Sequence, residues 1–323
     1  MHPPAVPAEL IAARDGTILA DLSHNALLAV TGDDAVAFLH AQLTNDVQSL
    51  APGAAQWNGW CSAKGRLLAT FLLVKRAEAC WLLLPAEIAA AIAKRLAMYV
   101  LRAKVKIEDA SALYARLGLA GKDAAAIVAR HWGSVPGPMG SVEKDGCVCV
   151  ALDAGRFAIL VPAAGEQAWR ELLAAGAVHA GADAWEWTSI QAGIPVIVAA
   201  TQDAFVPQMA NFELVGGVSF KKGCYPGQEI VARTQYRGIL KKRMALAHAS
   251  GGPRPLAGQS VYGTAFGEQS AGAVVSAAPS PEGGYDLLVV AQVESLRAAD
   301  LRLGSPLGMA LEIRSHPAAE HAA

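Results

Sequence analysis

KKGCYPGQEIVARTQYRGILKKR, from Lys221 to Arg243, is the stretch that tells most about the fold and function of this 323-residue chain. Pro226 and Gly227 predict a type II turn directly after Cys224, and Gln228 then begins a predicted helix. One acid, Glu229, stands among the seven cations Lys221, Lys222, Arg233, Arg237, Lys241, Lys242 and Arg243. Such charges and the free N–H groups of a helix start favour a thiolate, so a reactive or anion-facing thiol is predicted. The alternative is a buried cysteine at a tight turn whose cations only face solvent.

The composition of the whole chain narrows the possible classes of protein. The net charge is −1, so any polyanion would have to bind a local patch. No apolar run reaches the ~18 residues of a membrane-spanning helix, and the first residues lack a secretory pattern. Five cysteines at irregular spacings argue against a disulfide framework. We therefore expect a cytoplasmic protein with no membrane partner.

Apolar periodicity predicts mixed α and β structure in the N-terminal part. Leu67 to Val74 and Cys80 to Leu84 are continuous apolar runs typical of buried strands. Pro85 to Leu101 has apolar residues at helical spacing, and Arg102 to Glu108 alternates as a strand does. Asp33 or Asp34 is the predicted N-cap of a helix that starts at Ala35.

A second pattern begins near Ser111 and resembles a ferredoxin-like α+β unit. Its predicted elements are a strand, a helix, a hairpin, a helix and a strand, at Tyr114–Leu119, Asp123–Trp132, Val148–Leu152 with Phe157–Val161, Glu166–Ala175 and near Trp187. After Arg243, short strand candidates separated by Gly, Pro and Ser predict a small β-barrel or sandwich. These candidates are Met244–His248, Ser260–Tyr262, Ala271–Ser276, Tyr285–Val293 and Met309–Ile313.

Several common catalytic and binding motifs are absent from the sequence. It contains no phosphate-binding G-x-x-x-x-G-K-[ST] loop, no G-x-G-x-x-G fingerprint and no G-x-S-x-G elbow. The eight histidines are scattered, and none pairs with cysteines at zinc spacing, so we predict no metal site. Cys147 and Cys149 share a face of a predicted strand and are interpreted as small core residues.

Lys222 to Glu229, KGCYPGQE, resembles the K-G-C-Y-x-G-Q-E signature of the YgfZ-type folate-binding proteins, relatives of the aminomethyltransferase of the glycine cleavage system. Further similar stretches are G-I-P at Gly193–Pro195, F-x-P-Q-x-x-N at Phe205–Asn211, T-N-D-V at Thr44–Val47 and K-G-[KR] at Lys64–Arg66. Together the matches run from about Leu22 to Arg243.

The resemblance implies an α+β fold of three domains in a ring around a folate channel, with a ferredoxin-like α+β unit and a small C-terminal β-barrel. We expect an N-terminal α+β folate-binding lobe at 1–110, a ferredoxin-like lobe carrying the KGCYPGQE motif at 111–240, a barrel at 241–316 and a tail at 317–323. In this superfamily one domain can combine two separated segments, so the second lobe can be discontinuous with the first.

The function implied by the resemblance is that of a folate-binding accessory protein for iron–sulfur enzymes, including tRNA-modifying ones. The expected cofactor is tetrahydrofolate or a one-carbon derivative, and the expected partners are iron–sulfur enzymes. Cys224 is the expected functional thiol, although the sequence leaves its chemical role open. The candidate folate-binding residues are Asn45, Ser62, Lys64, Gln191, Lys222, Tyr225, Gln228, Glu229, Arg233 and Arg237.

Two positions depart from the acids found in aminomethyltransferases. Ser62 stands two positions before the K-G element, and Gln191 stands just before A-G-I-P. Neutral side chains form weaker hydrogen bonds to a pterin than carboxylates do, and neither supplies a proton-transfer group. We therefore expect weaker or altered pterin recognition and no classical aminomethyltransferase activity.

Two alternative functions stay open at this point. One is an active folate-dependent transferase of an aminomethyl or other one-carbon group. The other is direct tRNA binding through the basic 221–243 segment, which the near-neutral total charge disfavours.

Overall fold

The computed structural model describes residues 7–174, 176–237 and 240–315, without the side chains of Glu166, Arg170, Leu173, Ala174 and Arg237. The predicted tail at 317–323 lies outside these ranges. The described residues form eight α-helices, namely α1 (Pro7–Asp15), α2 (Ala35–Gln42), α3 (Ala86–Ala97), α4 (Ala124–Trp132), α5 (Glu166–Ala174), α6 (Ala182–Gln191), α7 (Gln228–Arg237) and α8 (Val293–Ala298). None of these helices is both long enough and apolar enough to cross a membrane.

The same residues form eighteen β-strands. In chain order they are β1 (Thr17–Asp21), β2 (Asn25–Thr31), β3 (Ala55–Cys61), β4 (Leu67–Lys75), β5 (Ala79–Pro85), β6 (Lys106–Asp109), β7 (Tyr114–Gly121), β8 (Ser141–Lys144), β9 (Cys147–Ala151), β10 (Arg156–Pro162), β11 (Val178–Ala180), β12 (Lys242–Ala249), β13 (Ser260–Tyr262), β14 (Ser270–Pro279), β15 (Tyr285–Gln292), β16 (Arg302–Leu303), β17 (Met309–Ala310) and β18 (Glu312–Ser315).

The chain divides into two compact units. The first unit holds the described residues up to Asn58 together with Phe71–Thr188, and the second holds Gly59–Thr70 and the described residues from Ser189 onward. Strands β3 and β4 each pass from one unit into the other. The predicted boundaries of three domains, at 110 and 240, stay a prediction.

A six-stranded sheet in the order β11-β1-β7-β10-β9-β8 forms much of the first unit. Its core includes Leu119, Ile127 and Phe157, so α4 packs on the apolar face that the strands present. The predicted hairpin is present as β9 and β10, with Phe157 opposite Ala151. A five-stranded sheet, β3-β4-β5-β2-β6, contains both apolar runs that were predicted to be buried strands.

Three predictions in the first part of the chain need correction. The strand predicted near Trp187 is helix α6, whose residues are buried nearly all round and therefore show no amphipathic period. Helix α3 stops at Ala97, well before Leu101. The strand predicted from Arg102 begins only at Lys106, because the backbone N–H of Lys104 donates to the carboxylate of Asp34 (2.8 Å). Asp34 is the N-cap of α2, but its side chain makes no capping hydrogen bond.

The predicted C-terminal barrel is a seven-stranded antiparallel sheet in the second unit, in the order β17-β16-β13-β14-β15-β12-β18. Its edge strands β17 and β18 are separated only by Leu311, so the two edges of the sheet come together and it curves into a barrel. Inward-facing Ala247, Leu287 and Val289 form part of its core. The sequence prediction missed α8 and β16, and it merged β17 and β18 into one strand.

Candidate functional site

The signature turn is built as predicted. The backbone N–H of Gln228 donates to the carbonyl oxygen of Tyr225 (3.1 Å), and Gly227 has a φ of +80°. That φ is the value a type II turn requires at its third residue, where glycine carries no steric penalty. Helix α7 begins at Gln228, immediately after the turn.

The K-G-R element forms the tip of the β3–β4 hairpin. The backbone N–H of Gly65 donates to the carbonyl of Ser62 (2.9 Å), and Gly65 has a φ of +67°. The Arg66 guanidinium donates to the carbonyl oxygen of Ala204 (2.6 Å). The hairpin tip is thereby held against the segment that precedes the F-x-P-Q stretch.

The two motifs meet through their glycines. A Cβ atom added to Gly227 would lie 2.6 Å from Cα and 2.7 Å from N of Gly65. A Cβ atom added to Gly65 would lie 2.8 Å from Cβ of Ile230 and 3.0 Å from the carbonyl oxygen of Gly227. Because no real side chain tolerates such distances, glycine is required on both sides for the hairpin and the turn to pack backbone against backbone.

Cys224 is exposed to solvent, whereas Lys222 and Tyr225 near it in the sequence are buried. Tyr225 is buried, and the Nζ atom of Lys222 lies 4.9 Å from the centre of its ring, a cation–π contact. Burial, with a smaller contribution from the neighbouring Cys61, raises the pKa of the Tyr225 phenol, so the phenol keeps its proton. The exposed thiol is therefore followed directly by a buried aromatic side chain that packs against Lys222.

The seven cations of the segment do not form one surface. Lys221, Arg233 and Lys241 are exposed, but Lys222 is buried. Arg243 donates to the carbonyl of Gln208 (2.9 Å) and forms an ion pair with Glu213. The side chain of Arg237 lies outside the described part of the structure. Part of the basic segment is thus structural, and part of it is available to an anion.

The F-x-P-Q-x-x-N stretch works as a clamp on both sides of the signature helix. The Gln208 amide donates to the carbonyl of Val231 in α7 (2.7 Å). The Asn211 amide donates to the carbonyl of Met244 in β12 (2.9 Å), from a backbone with φ of +53°. Asparagine tolerates this left-handed conformation better than most residues. The clamp fixes α7 relative to the first barrel strand.

Ser62, the first departure from the family acids, is hydrogen-bonded to an acid from elsewhere in the chain. Its hydroxyl donates to the carboxylate of Asp203 (2.7 Å), and Asp203 is exposed. The predicted candidate residues did not include Asp203. The only sequence signal for it was its place two residues before Phe205 of the F-x-P-Q stretch.

Gln191, the second departure, is also hydrogen-bonded to an aspartate from elsewhere in the chain. Its amide Nε2 donates to the carboxylate of Asp286 (2.9 Å), a β15 residue that is 1% exposed. Gln191 also lines a cavity of about 340 Å³ in the second unit, together with Asn211, Leu214, Met244, Leu246 and Leu288. Asp286 too was missed, because nothing local connects it to Gln191.

The remaining predicted residues are placed as follows. Lys64 and Glu229 are exposed, and Gln228 is half-buried. Asn45 lies in the first unit, where its amide donates to the carbonyl of Trp57 (3.0 Å) and its side-chain oxygen accepts from the N–H of Asp46 (2.9 Å). The ligand roles of these residues stay predictions.

Within residues 7–174, 176–237 and 240–315, no three His, Cys, Asp or Glu side chains converge as metal ligands would. The second unit instead offers three kinds of group to a ligand. These are hydrogen-bond acceptors at Asp203 and Gln191, exposed cations, and the thiol of Cys224. Acceptors of this kind suit the donor groups of a heterocycle, and exposed cations suit a carboxylate.

Comparisons with known proteins agree with this description. The GCVT N-terminal domain family matches residues 2–135. The chain is 31% identical over 305 residues to the tRNA-modifying protein YgfZ of Serratia proteamaculans, covering 93% of this chain and 92% of the relative. It is 32% identical over 231 residues to the protein of the same name from Colwellia psychrerythraea, covering 71% of this chain and 70% of the relative.

A solved structure is similar along nearly the whole chain. The aminomethyltransferase T of the glycine cleavage system from Bartonella henselae superimposes with a TM-score of 0.77 at 20% identity, covering 97% of this chain and 90% of the other. The predicted fold class, an aminomethyltransferase-like α+β protein with a C-terminal barrel, is confirmed.

Proposed function

Since this chain belongs to the YgfZ family of tRNA-modifying proteins, we propose that it is a folate-binding accessory protein of the cytoplasm. It supports the assembly, repair or activity of iron–sulfur enzymes, including ones that modify tRNA. Its ligand is tetrahydrofolate or a one-carbon derivative, and its partners are those enzymes.

One observation carries the folate part of this proposal. At both positions where the aminomethyltransferase acids are replaced, the replacing side chain is hydrogen-bonded to an aspartate, Ser62 to Asp203 and Gln191 to Asp286. Carboxylates therefore stand beside both positions, although the sequence motifs lack them. The exposed carboxylate of Asp203 can accept charge-assisted hydrogen bonds, which are about twice as strong as neutral ones, whereas the buried Asp286 acts through the Gln191 amide. The two aspartates therefore support pterin binding, which the neutral residues in the motifs had argued against.

The exposed cations support the other end of the same ligand. Lys221, Arg233 and Lys241 are exposed in the signature segment. The glutamate tail of a folate carries carboxylates, which such side chains bind through charge-assisted hydrogen bonds. Few cations remain available after Lys222 and Arg243 are used structurally, so a short anionic tail suits them better than a long polyanion.

Binding is tested by titrating the purified full chain with tetrahydrofolate and its 5-formyl derivative, followed by calorimetry. We expect saturable binding of one folate per chain. The absence of heat changes up to millimolar folate would remove folate from the proposal. Titration with a tRNA at low and moderate salt serves as the comparison, because a phosphate-binding surface shows a steep salt dependence.

The thiol of Cys224 is the proposed functional group for the iron–sulfur role. It is the exposed one of the five cysteines, so it is accessible to a partner or to a damaged species. Cys224→Ser changes one atom at an exposed position and is expected to leave the stability unchanged. In a strain that lacks its YgfZ-type protein, we expect this variant to fail to restore iron–sulfur enzyme activity. Full restoration would exclude a role for the thiol.

A second candidate, folate-dependent one-carbon transfer, is favoured by one observation. The exposed carboxylate of Asp203 beside Ser62 is a group able to accept a proton, which the sequence motifs did not reveal. This candidate predicts turnover of a tetrahydrofolate adduct by the purified chain and its loss in Asp203→Asn. Binding without turnover supports the accessory role.

A further inference from the structure

We propose that Asp286 sets the hydrogen-bonding polarity of the cavity beside Gln191, so that the cavity selects a heterocycle edge that donates a hydrogen bond. Asp286 is a positioning residue, since it acts on a ligand through the Gln191 amide. The inference rests on the proposed function for the identity of that ligand, a pterin.

The two carboxylate oxygens of Asp286 have different partners. Oδ2 accepts from the Gln191 amide (2.9 Å), and Oδ1 lies 2.7 Å from Nδ1 of His248. The guanidinium of Arg314 lies 3.6 Å from the same Oδ1 atom. Asp286 is 1% exposed, so these neighbours replace water around the carboxylate.

This arrangement fixes which way the Gln191 amide points. A carboxylate only accepts hydrogen bonds, so the NH₂ group of the amide must face Asp286. The carbonyl oxygen Oε1 of Gln191 is then the end available to a ligand in the cavity. Gln191 thus offers the acceptor that a family acid would offer, without bringing a second negative charge to the site.

The alternation of the barrel strands places these groups on the cavity side. In β12 and β15, Ala247, Leu287 and Val289 face the barrel core. Residues at the intervening positions point the other way, so His248 and Asp286 share a face with the cavity-lining Leu246 and Leu288. The result is a cavity of mixed polar and apolar lining with an oriented amide at its edge, and its volume of about 340 Å³ is within the range of small-molecule sites.

The amide of Asn211, which also lines the cavity, is already committed. Its Nδ2 donates to the carbonyl of Met244 (2.9 Å), and its Oδ1 lies 3.3 Å from the guanidinium of Arg243. Ser315 also lines the cavity, but its hydroxyl can either donate or accept, so the Gln191 amide held by Asp286 is the group that gives the cavity a fixed acceptor.

Pterin and lumazine are a matched ligand pair for the test, because both keep the N3–H donor and the oxygen at position 4. They differ beside N3 at position 2, where pterin has a donating amino group and lumazine an accepting oxygen, and N1 changes with it from an acceptor in pterin to an N–H donor in lumazine. We expect the full chain to bind pterin in preference to lumazine at neutral pH. In Asp286→Asn, the amide oxygen stays with His248 and Arg314, and the NH₂ group turns to Gln191. Gln191 must then rotate and present its own NH₂ group to the cavity. We expect the preference to shift toward lumazine by about tenfold or more, since a hydrogen-bonding group that the bound ligand covers without pairing costs about 1–3 kcal/mol.

The rescue variant separates positioning from a merely structural role. In Gln191→Glu/Asp286→Asn, the carboxylate of residue 191 accepts from the new asparagine and again offers an acceptor to the cavity. We expect this double variant to recover the preference for pterin. A loss of structure caused by Asp286→Asn would not be reversed in this way.

Gln191→Leu is the control for the case that Asp286→Asn fails to fold, since residue 191 is exposed and tolerates the change. It removes the acceptor, and we expect equal binding of the two ligands. The inference would be overturned if Asp286→Asn and Gln191→Leu kept the preference of the parent chain for pterin over lumazine. It would also be overturned if a chain that binds folate did not bind pterin. Either result would leave the proposed function standing. Absence of folate binding would instead contradict the proposed function.

Discussion

Gly227→Ala tests the backbone contact on which the candidate site is built. Alanine at a φ of +80° costs about 1–2 kcal/mol, because its Cβ atom meets the adjacent carbonyl oxygen. The same Cβ atom lies 2.6 Å from Cα of Gly65, so the hairpin and the turn must separate by several tenths of an ångström. Overpacking of this kind costs about 1–3 kcal/mol. We therefore expect the free energy of unfolding to fall by about 2–5 kcal/mol.

Gly216→Ala is the matched control for backbone conformation. Gly216 has a φ of +74°, but a Cβ atom added there meets no atom within 4 Å. We expect the free energy of unfolding of Gly216→Ala to fall by only about 1–2 kcal/mol, the cost of the left-handed backbone conformation alone. Gly65→Ala carries both costs, as Gly227→Ala does.

The assay is urea unfolding of the three variants and the parent chain, followed by circular dichroism and compared at equal m-values. Folate titration of the same variants reports whether the site is displaced as well. Equal midpoints for Gly227→Ala and Gly216→Ala would refute the reasoning, because they would show that the close approach of the two glycines contributes nothing.

Two further predictions concern the cysteines and the clamp. Burial raises the pKa of Cys61 to about 12 and, despite the nearby Lys75, that of Cys80 to about 11, so both stay protonated at pH 8. Burial also raises the pKa values of Cys147 and Cys149. A thiol reagent is therefore expected to label one cysteine per native chain, Cys224, and all five after denaturation. Mass spectrometry identifies the labelled site, and rapid labelling of a buried cysteine in the native chain would contradict the prediction. Asn211→Ala is expected to lower the free energy of unfolding by about 2–4 kcal/mol through the lost bond to Met244 and the strained φ of +53°. Asn211→Gly removes the same hydrogen bond without the backbone strain. If it lowered the free energy of unfolding as much as Asn211→Ala does, backbone strain would contribute nothing and the prediction would be wrong.

The parts of the fold that the sequence predicted correctly depend on local chemistry. Pro226-Gly227 specifies its turn through two residues with fixed or permissive φ values. The Gly, Pro and Ser clusters after Arg243 separate short strands, and the barrel follows from them. Helix α6 was misassigned because burial all round removes the periodic signal on which such predictions depend.

The parts of the site that the sequence did not predict depend on contacts between distant segments. Ser62 and Gln191 read as losses of charge, and only the fold brings Asp203 and Asp286 to them. Lys222 read as a surface cation, but it is buried against the ring of Tyr225. No local pattern distinguishes a lysine that binds an anion from one that packs on an aromatic side chain.

The affinity of the full chain and of Asp203→Asn for 5-formyltetrahydrofolate, measured by calorimetry at neutral pH, tests the central claim most directly. The claim is that aspartates supplied by the fold compensate for the acids missing from the motifs, Asp203 directly and Asp286 through the Gln191 amide. Asparagine keeps the shape and the bond to Ser62 but loses the charge, which is worth about 1–2 kcal/mol in a hydrogen bond. We predict saturable binding to the parent chain and about tenfold weaker binding to the variant. Equal affinities, or no binding to either protein at millimolar folate, would contradict the claim.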